Sequence, residues 1–360
     1  MSLALSEFLD WRKHGYADTR ALGECLQALV DEGLDQLPLP ASGQTLDRWR
    51  SLACVAGHDL GLCKLYEGHT DALAIMQELG VQGSTAGPVE PRSTWGMWAA
   101  EPPQARVRVS GSGNGSSVQL DGLKAWCSGA AVLSNALITA WNDDGQQQLV
   151  AVDLRQPGVS ITQDGWRAVG MGATGSVEVH FKAARGLAVG APGAYIQRPG
   201  FWQGGIGIAA CWYGASRAIA MRLLQQVIKQ DEPHAQAHLG AVDTAMHSAL
   251  SVLHDAASCI DQAHEDSTDH NSHEHNTRHS NMELLARRSR AAIESSAEQV
   301  ITHVGHALGA GPYCKDAHFA RLVADLPVFL RQSHAERDLA ALGRLTAAQA
   351  TTPPSRTWML

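Results

Sequence analysis

The stretch Leu120-Asp121-Gly122-Leu123-Lys124-Ala125-Trp126-Cys127-Ser128-Gly129-Ala130 decides how this chain is read. It ties a strand to a turn and sets an aromatic ring and a hydroxyl two residues apart. Residues i and i+2 of a strand share a face, so the spacing predicts Trp126 and Ser128 on one surface. A flat apolar ring beside a hydrogen-bonding hydroxyl suits a flat heteroaromatic ligand. A strand with a buried Trp and an edge Ser explains the same spacing. A second turn-to-strand stretch follows, Gly165-Trp166-Arg167-Ala168-Val169-Gly170-Met171-Gly172-Ala173-Thr174-Gly175-Ser176, with alternating Val177, Val179 and Phe181 behind it.

Both stretches lie in a region, about 88 to 195, where Pro, Gly, Ser and Asn clusters separate short alternating runs. Arg106–Val109, Ser117–Leu120 and Leu149–Val152 read as strands, with the clearest turn at Gly111-Ser112-Gly113-Asn114-Gly115. The texture predicts an antiparallel sheet. Residues 1 to about 80 read as helical. Leu22, Cys25, Leu26 and Leu29 recur at helical spacing, Thr45 or Asp47 offers a cap for a second stretch, and Asp59 to Leu79 reads as a helix stopped by Gly80. From about 203 the chain is helical again. Ile208, Trp212, Ala215, Ile219, Leu223 and Val227 form a stripe, and long helices are predicted near 234–262 and 281–308, with shorter ones ending near Leu342. The tail Thr351–Ser355 is expected to be irregular.

Composition sets outer bounds. The 360 residues suffice for two or three domains with sizeable cores. A 44% hydrophobic, 18% charged chain is ordinary for a soluble globular protein. A net charge of −8 argues against a general nucleic-acid surface. No apolar run has transmembrane length, and the N-terminus lacks the basic start of a signal peptide. Seven scattered cysteines without CxxC pairs point to reduced thiols in a cytoplasmic protein. The run from His264 to His279 mixes five histidines with acids. Its spacing matches no defined metal site, so it reads as a polar loop and no metal is expected.

The two strand-and-turn stretches resemble the middle β domain of the acyl-CoA dehydrogenase superfamily of flavoproteins. Trp126 and Ser128 fall on that family's flavin-contacting Trp and Thr/Ser positions. The second stretch is similar to the family's later Gly-Met-Arg-x-(Thr/Ser)-x-Ser, which starts the strand that closes the domain. Met97-Trp98-Ala99-Ala100-Glu101-Pro102 is similar to the family's Thr-Glu-Pro segment, with Ala100 replacing Thr. The resemblance runs from about Leu46 to Gly343. It implies an α+β fold: an N-terminal helical domain over 1–88, a middle antiparallel β domain over 89–198, a C-terminal helical bundle over 199–348 and a tail over 349–360. It further implies FAD as cofactor, held by Met97, Ala100, Trp126, Ser128, Gly309 and Gly311, with Trp126 packed on the ring and the Ser128 hydroxyl donating near N5. Gly309 and Gly311 sit where the family's glycine loop approaches the pyrophosphate. A homodimer or homotetramer is implied, as is an electron acceptor or reductase partner.

Two departures qualify the resemblance. The family's phosphate-binding Arg-x-x-Phe-Gly is replaced by Val227-Ile228-Lys229-Gln230-Asp231-Glu232-Pro233. Counting from Arg321 and Asp325, the usual catalytic Glu is replaced by Gln332-Ser333-His334, with Glu336 only nearby. His334 and Ser333, with His69 of Tyr66-Glu67-Gly68-His69, are therefore the candidate catalytic residues, a neutral His being able to take or give a proton. The leading expectation is an FAD-dependent oxidoreductase acting on the CH–CH bond of an acyl thioester or related substrate. The alternatives are a flavin-dependent monooxygenase of the same fold and a non-catalytic paralogue acting as a binding subunit. The substrate stays open.

Overall fold

Asp59 stands just before an apolar run, and its carboxylate accepts the Leu62 N–H at 2.9 Å. It thereby caps the helix Leu60–Glu78, and Gly80 leaves the end of that helix with φ +76°. This is helix α4 in a computed structural model that describes residues 2–12, 15–80, 92–111, 114–265, 272–351 and 358. The helices before it are α1 (Ser2–Asp10), α2 (Thr19–Asp31) and α3 (Thr45–His58). The boundary near residue 88, most of the tail from 352, part of the Gly111–Gly115 turn and the side chains of the His264–His279 run lie outside the described residues.

The chain divides into two compact units, one of residues 1–37 and 54–201, the other of 38–53 and 202–360. In the first unit, α2 packs on α4 and α4 on β1, so these two helices are grouped with the β region, while most of α3 belongs to the other unit. The physical reason is the apolar face of α4. Ala72, Ile75 and Met76 bury against Trp95, Leu137, Leu149, Ala151 and Val189 from the sheet, with Met97 half-buried beside them. Each such aliphatic side chain contributes about 1.5–3 kcal/mol when removed from water.

The sheet has seven strands: β1 (Trp95–Trp98), β2 (Val107–Ser110), β3 (Ser117–Cys127), β4 (Asn135–Trp141), β5 (Gln147–Asp153), β6 (Val159–Ile161) and β7 (Val177–Val189). Their order is β1-β4-β2-β3-β7-β5, β5 also pairs with β4, and β6 pairs with β7. The sheet is mixed, not purely antiparallel as expected, because β1 runs parallel to β4, and β2 meets β4 in parallel at Arg108 and Trp141. Parallel partners need a long crossover, and nothing local in the sequence marks one.

The second unit is built on long helices: α6 (Gly200–Lys229, from Trp202 onward in this unit), α7 (Pro233–Glu265) and α8 (Ser272–Leu308). The short α9 (Ala310–Lys315), α10 (Ala317–Leu330) and α11 (Glu336–Thr351) follow. The α6 stripe is core at Trp212, Ala215, Ile219 and Leu223, all fully buried. Gly214 lets the backbone of α6 close on Ala53 of α3, where any Cβ would collide with main-chain atoms. The α11 helix runs well past Leu342, further than the periodicity predicts.

Candidate functional site

Strand β3 does not carry Trp126 and Ser128 as alternating residues of one regular strand. Lys124 pairs with Val179 and Cys127 with Val177, so three steps on β3 match two on β7. The extra residue is a β-bulge, and Trp126 takes φ +57° there, a left-handed conformation uncommon outside glycine. The strand ends at Cys127, and the Ser128 N–H folds back to the Trp126 carbonyl at 3.0 Å. The two side chains are therefore joined by a tight turn rather than by strand alternation. Trp126 keeps 51% of its surface exposed, a large apolar ring displayed on a strained backbone.

Ser128 is held from several sides. The Trp98 indole N–H donates to its carbonyl at 3.2 Å, and the next N–H, of Gly129, donates to the Thr174 carbonyl at 2.8 Å. Its hydroxyl lies 2.8 Å from that of Ser176, which lies 2.8 Å from that of Thr174. The Thr174 hydroxyl donates to the Met171 carbonyl at 2.7 Å. A second cluster, around Lys124 and Glu101, supports the segment after β1. The Lys124 ammonium donates to the Thr139 carbonyl at 2.8 Å and hydroxyl at 2.7 Å, and reaches Glu101 at 3.4 Å. Glu101 also accepts from the Thr139 hydroxyl, from the Trp141 indole at 2.8 Å and from the Gln147 amide at 3.4 Å. Burial lowers the Lys124 pKa and the Glu101 charge opposes that shift. Burial also pushes the Cys127 thiol up, so it stays protonated. Half-buried Met97 and Ala100 flank this anchored segment.

His69 is completely buried. Its Nδ1 accepts the Trp95 N–H at 3.1 Å, so the ring proton sits on Nε2, which donates to Asp35 at 3.0 Å. Burial raises the Asp35 pKa, but the hydrogen bonds from His69 and Gln36 outweigh it and hold the carboxyl below its ordinary value. Both ring nitrogens are thus engaged within the first unit, and the ring meets no solvent through which a substrate would approach. The sequence stretch around His69 is likewise structural: the Tyr66 hydroxyl donates to the Leu34 carbonyl at 2.6 Å.

In the second unit, the segment from Gln332 to Asp338 is a tightly held turn. Arg290 lies 4.8 Å from the Trp212 ring and donates to the Gly205 carbonyl at 2.7 Å and the Gln332 carbonyl at 3.1 Å. The Ser333 hydroxyl, buried, accepts the Ala335 N–H at 3.2 Å. Ala335 has φ +45°. Asp338 accepts the His334 N–H at 3.0 Å and is paired to Arg287 at 2.8 Å. Burial raises the Asp338 pKa, yet the His334 N–H and the Arg287 charge bring it below its ordinary value. From this turn the His334 side chain projects 58% exposed, its Nδ1 3.6 Å from Asp338. Gly309 ends α8 with φ +60°, and space beside both Gly309 and Gly311 is open, with nothing within 4 Å of where a Cβ would stand.

Sequence reasoning gave Lys124, Glu101, Thr174 and Ser176 no role, although all four lie inside the stretches that carry the resemblance. Asp35 and Asp338 carried no signal at all. Among the described residues, no group of three His, Cys, Asp or Glu side chains is arranged to hold a metal ion, and no helix is long and apolar enough to cross a membrane.

No family model matches the chain, and no curated protein matches its sequence. The fold is shared with solved structures. Indole-bound TdsC from Paenibacillus sp. A11-2 is 15% identical with a TM-score of 0.78, over 95% of this chain and 96% of that one. KijD3, in complex with FMN and a dTDP-linked amino keto sugar, is 18% identical with a TM-score of 0.75, over 90% and 86%. Methanesulfinate monooxygenase MsuC from Pseudomonas fluorescens is 16% identical with a TM-score of 0.73, over 97% and 94%. The chain therefore has the acyl-CoA dehydrogenase-like fold found in flavin-binding enzymes. At these identities the likeness extends to the fold and no further. The solved complexes hold FMN, where the sequence resemblance implies FAD, so flavin is the level at which the two agree.

Proposed function

We propose that this protein is a flavin-dependent monooxygenase that takes reduced FMN from a reductase and oxygenates a small organic substrate. The observation that carries this reading over acyl thioester dehydrogenation is the Gln332–Asp338 turn. Where a catalytic carboxylate is expected, the turn displays an imidazole, and the half-buried carboxylate beside it, Asp338, is tied to Arg287. Oxygen transfer needs a group that gives and takes protons near neutral pH, which His supplies. Abstracting an α-proton from an acyl thioester calls for a free carboxylate in that place. The names of the structural relatives favour the same reading, since TdsC is a dibenzothiophene monooxygenase and MsuC a methanesulfinate monooxygenase.

The residues fit a flavin. Trp126 offers an exposed ring face for stacking, Ser128 offers a hydroxyl, and the anchored Met97–Glu101 segment offers backbone groups beside them. In the second unit, taken by itself, the main chain at Gly309 and Gly311 is open enough to meet a phosphate. A single phosphate also accounts for the missing Arg-x-x-Phe-Gly, a motif that serves the pyrophosphate of FAD. Reduced FMN, when bound, would supply the two electrons that activate dioxygen for transfer of one oxygen atom. In the first unit the chain's own part would be to hold the ring on Trp126 and Ser128, and in the second the exposed His334 imidazole is a group able to give or take a proton.

The test is anaerobic titration with reduced FMN, followed by oxygen. Saturable binding and oxygen consumption without any acyl-CoA support the reading. Flavin reduction by acyl thioesters under anaerobic conditions would replace it with dehydrogenation. Failure to bind either redox form would leave the binding-subunit alternative.

A further inference from the structure

We propose that Thr174 and Ser176 form an oriented hydroxyl relay that turns Ser128 into a hydrogen-bond acceptor, so that this face selects the reduced ring of a flavin over the oxidised one. The inference rests on the flavin reading above and adds to it the redox form that the site favours.

The orientation follows from counting protons. A hydroxyl has one proton to donate and two lone pairs to accept with. A carbonyl oxygen only accepts, so the 2.7 Å contact between the Thr174 hydroxyl and the Met171 carbonyl uses the Thr174 proton. Without a proton between them, two oxygens at that distance would repel. Thr174 then meets Ser176 as an acceptor, and the Ser176 proton fills their 2.8 Å contact. Ser176 in turn meets Ser128 as an acceptor, so the Ser128 proton points inward along their 2.8 Å contact. Exposure rises along the relay, from 0% at Thr174 to 4% at Ser176 and 9% at Ser128. The inner end is fixed and dry, and only the outer end can meet a ligand. What Ser128 has left to offer that ligand is a lone pair.

This reverses the expectation that Ser128 donates. Oxidised flavin carries a lone pair at N5, which an acceptor hydroxyl opposes. Reduced flavin carries N5–H, a donor that the acceptor satisfies. A relay set by a main-chain carbonyl cannot reverse without leaving the Thr174 hydroxyl oxygen and the Met171 carbonyl oxygen 2.7 Å apart with no proton between them, a repulsive contact. An enzyme that receives its flavin already reduced gains from such a face. It holds the form that it uses and lets the oxidised form go.

The experiment measures the ratio of dissociation constants for oxidised and reduced FMN, under anaerobic conditions for the latter, together with the reduction potential of bound FMN. Ser176→Ala frees the Ser128 proton to turn outward. Thr174→Val removes the inner anchor, while the Met171 carbonyl keeps the Thr174 N–H and the Trp166 indole N–H as donors. Thermal unfolding of flavin-free protein checks that each variant folds, and either variant alone suffices. Wild type is expected to prefer reduced FMN and to raise its potential above the free value. Each folded variant is expected to lose about fivefold or more of that preference, the weight of one neutral hydrogen bond, with a matching fall in potential. Flavin binding with an unchanged ratio in both variants overturns the relay but leaves the flavin reading standing. No binding of either form by wild type overturns both.

Discussion

Two histidines, His69 and His334, read alike in the sequence and have opposite surroundings in the fold. His69 is sealed in the first unit with a donor on one nitrogen and an acceptor on the other. It fastens the α4 helix to the start of β1 at Trp95 and to Asp35. His334 stands on a turn whose other groups are nearly all pinned: the Gln332 carbonyl by Arg290, the Ser333 hydroxyl by a main-chain N–H, and its own N–H by Asp338. Everything around it is fixed so that the ring itself is displayed. The contrast teaches that the place to look for chemistry is a rigid support carrying an unspent functional group, not a polar residue as such. An imidazole sealed from solvent, whose acceptor nitrogen is held by a main-chain N–H, has no group with which to exchange a proton from a substrate.

That contrast breaks most visibly in stability. His69→Ala strips a partner from the buried Trp95 N–H and from Asp35. It is expected to cost about 3 kcal/mol, measured by urea unfolding of flavin-free protein. A variant that keeps its stability but loses turnover would place His69 in the chemistry instead. His334→Gln should do the reverse. Turnover is expected to fall by at least about 100-fold, as loss of an acid–base group does, while stability moves by less than about 0.5 kcal/mol. Unfolding and oxygen-uptake measurements on the same preparation separate the two effects.

A smaller effect sharpens the account of His69 through its partner. The folded pKa of Asp35 lies below its unfolded value, so its contribution to stability is complete above the unfolded value of about 4. It is lost as pH falls from there through the folded value. Asp35→Asn should therefore flatten the acid limb of the stability curve and leave the neutral and alkaline limbs parallel to wild type. Equal slopes below about pH 4 would show that the His69–Asp35 bond does not hold the charge.

The legibility of the fold follows the range of the interactions. Helix α4 was readable to within a residue, because Asp59, the apolar face and Gly80 all act locally. The strands around Val107, Ser117 and Leu149 and the long helices of the second unit were readable in kind but not in extent: β3 runs on to Cys127, and α8 begins at Ser272, inside the run that reads as a polar loop. The parallel pairing of β1 with β4 was hidden, because it joins residues 40 apart with no turn between them to mark it. The bulge at Trp126 was hidden too, and with it the true relation of Trp126 to Ser128. A register shift depends on the partner strand, not on β3 alone. The partners of His69 lie 34 and 26 residues away, and those of Lys124 lie 23 and 15 away. Such pairs are invisible until the chain is folded. The resemblance singles out stretches of sequence, while the bonding within them is set only by the fold.

A flavin face formed by Trp126 and Ser128 has a direct consequence for binding. It is tested most directly by titrating the protein with reduced FMN under anaerobic conditions while following tryptophan fluorescence, in wild type and in Trp126→Leu. Saturable quenching is expected in wild type and clearly weaker binding in the variant, with the unfolding midpoint nearly unchanged because the ring is half exposed. Quenching and affinity that are the same in both proteins would contradict it.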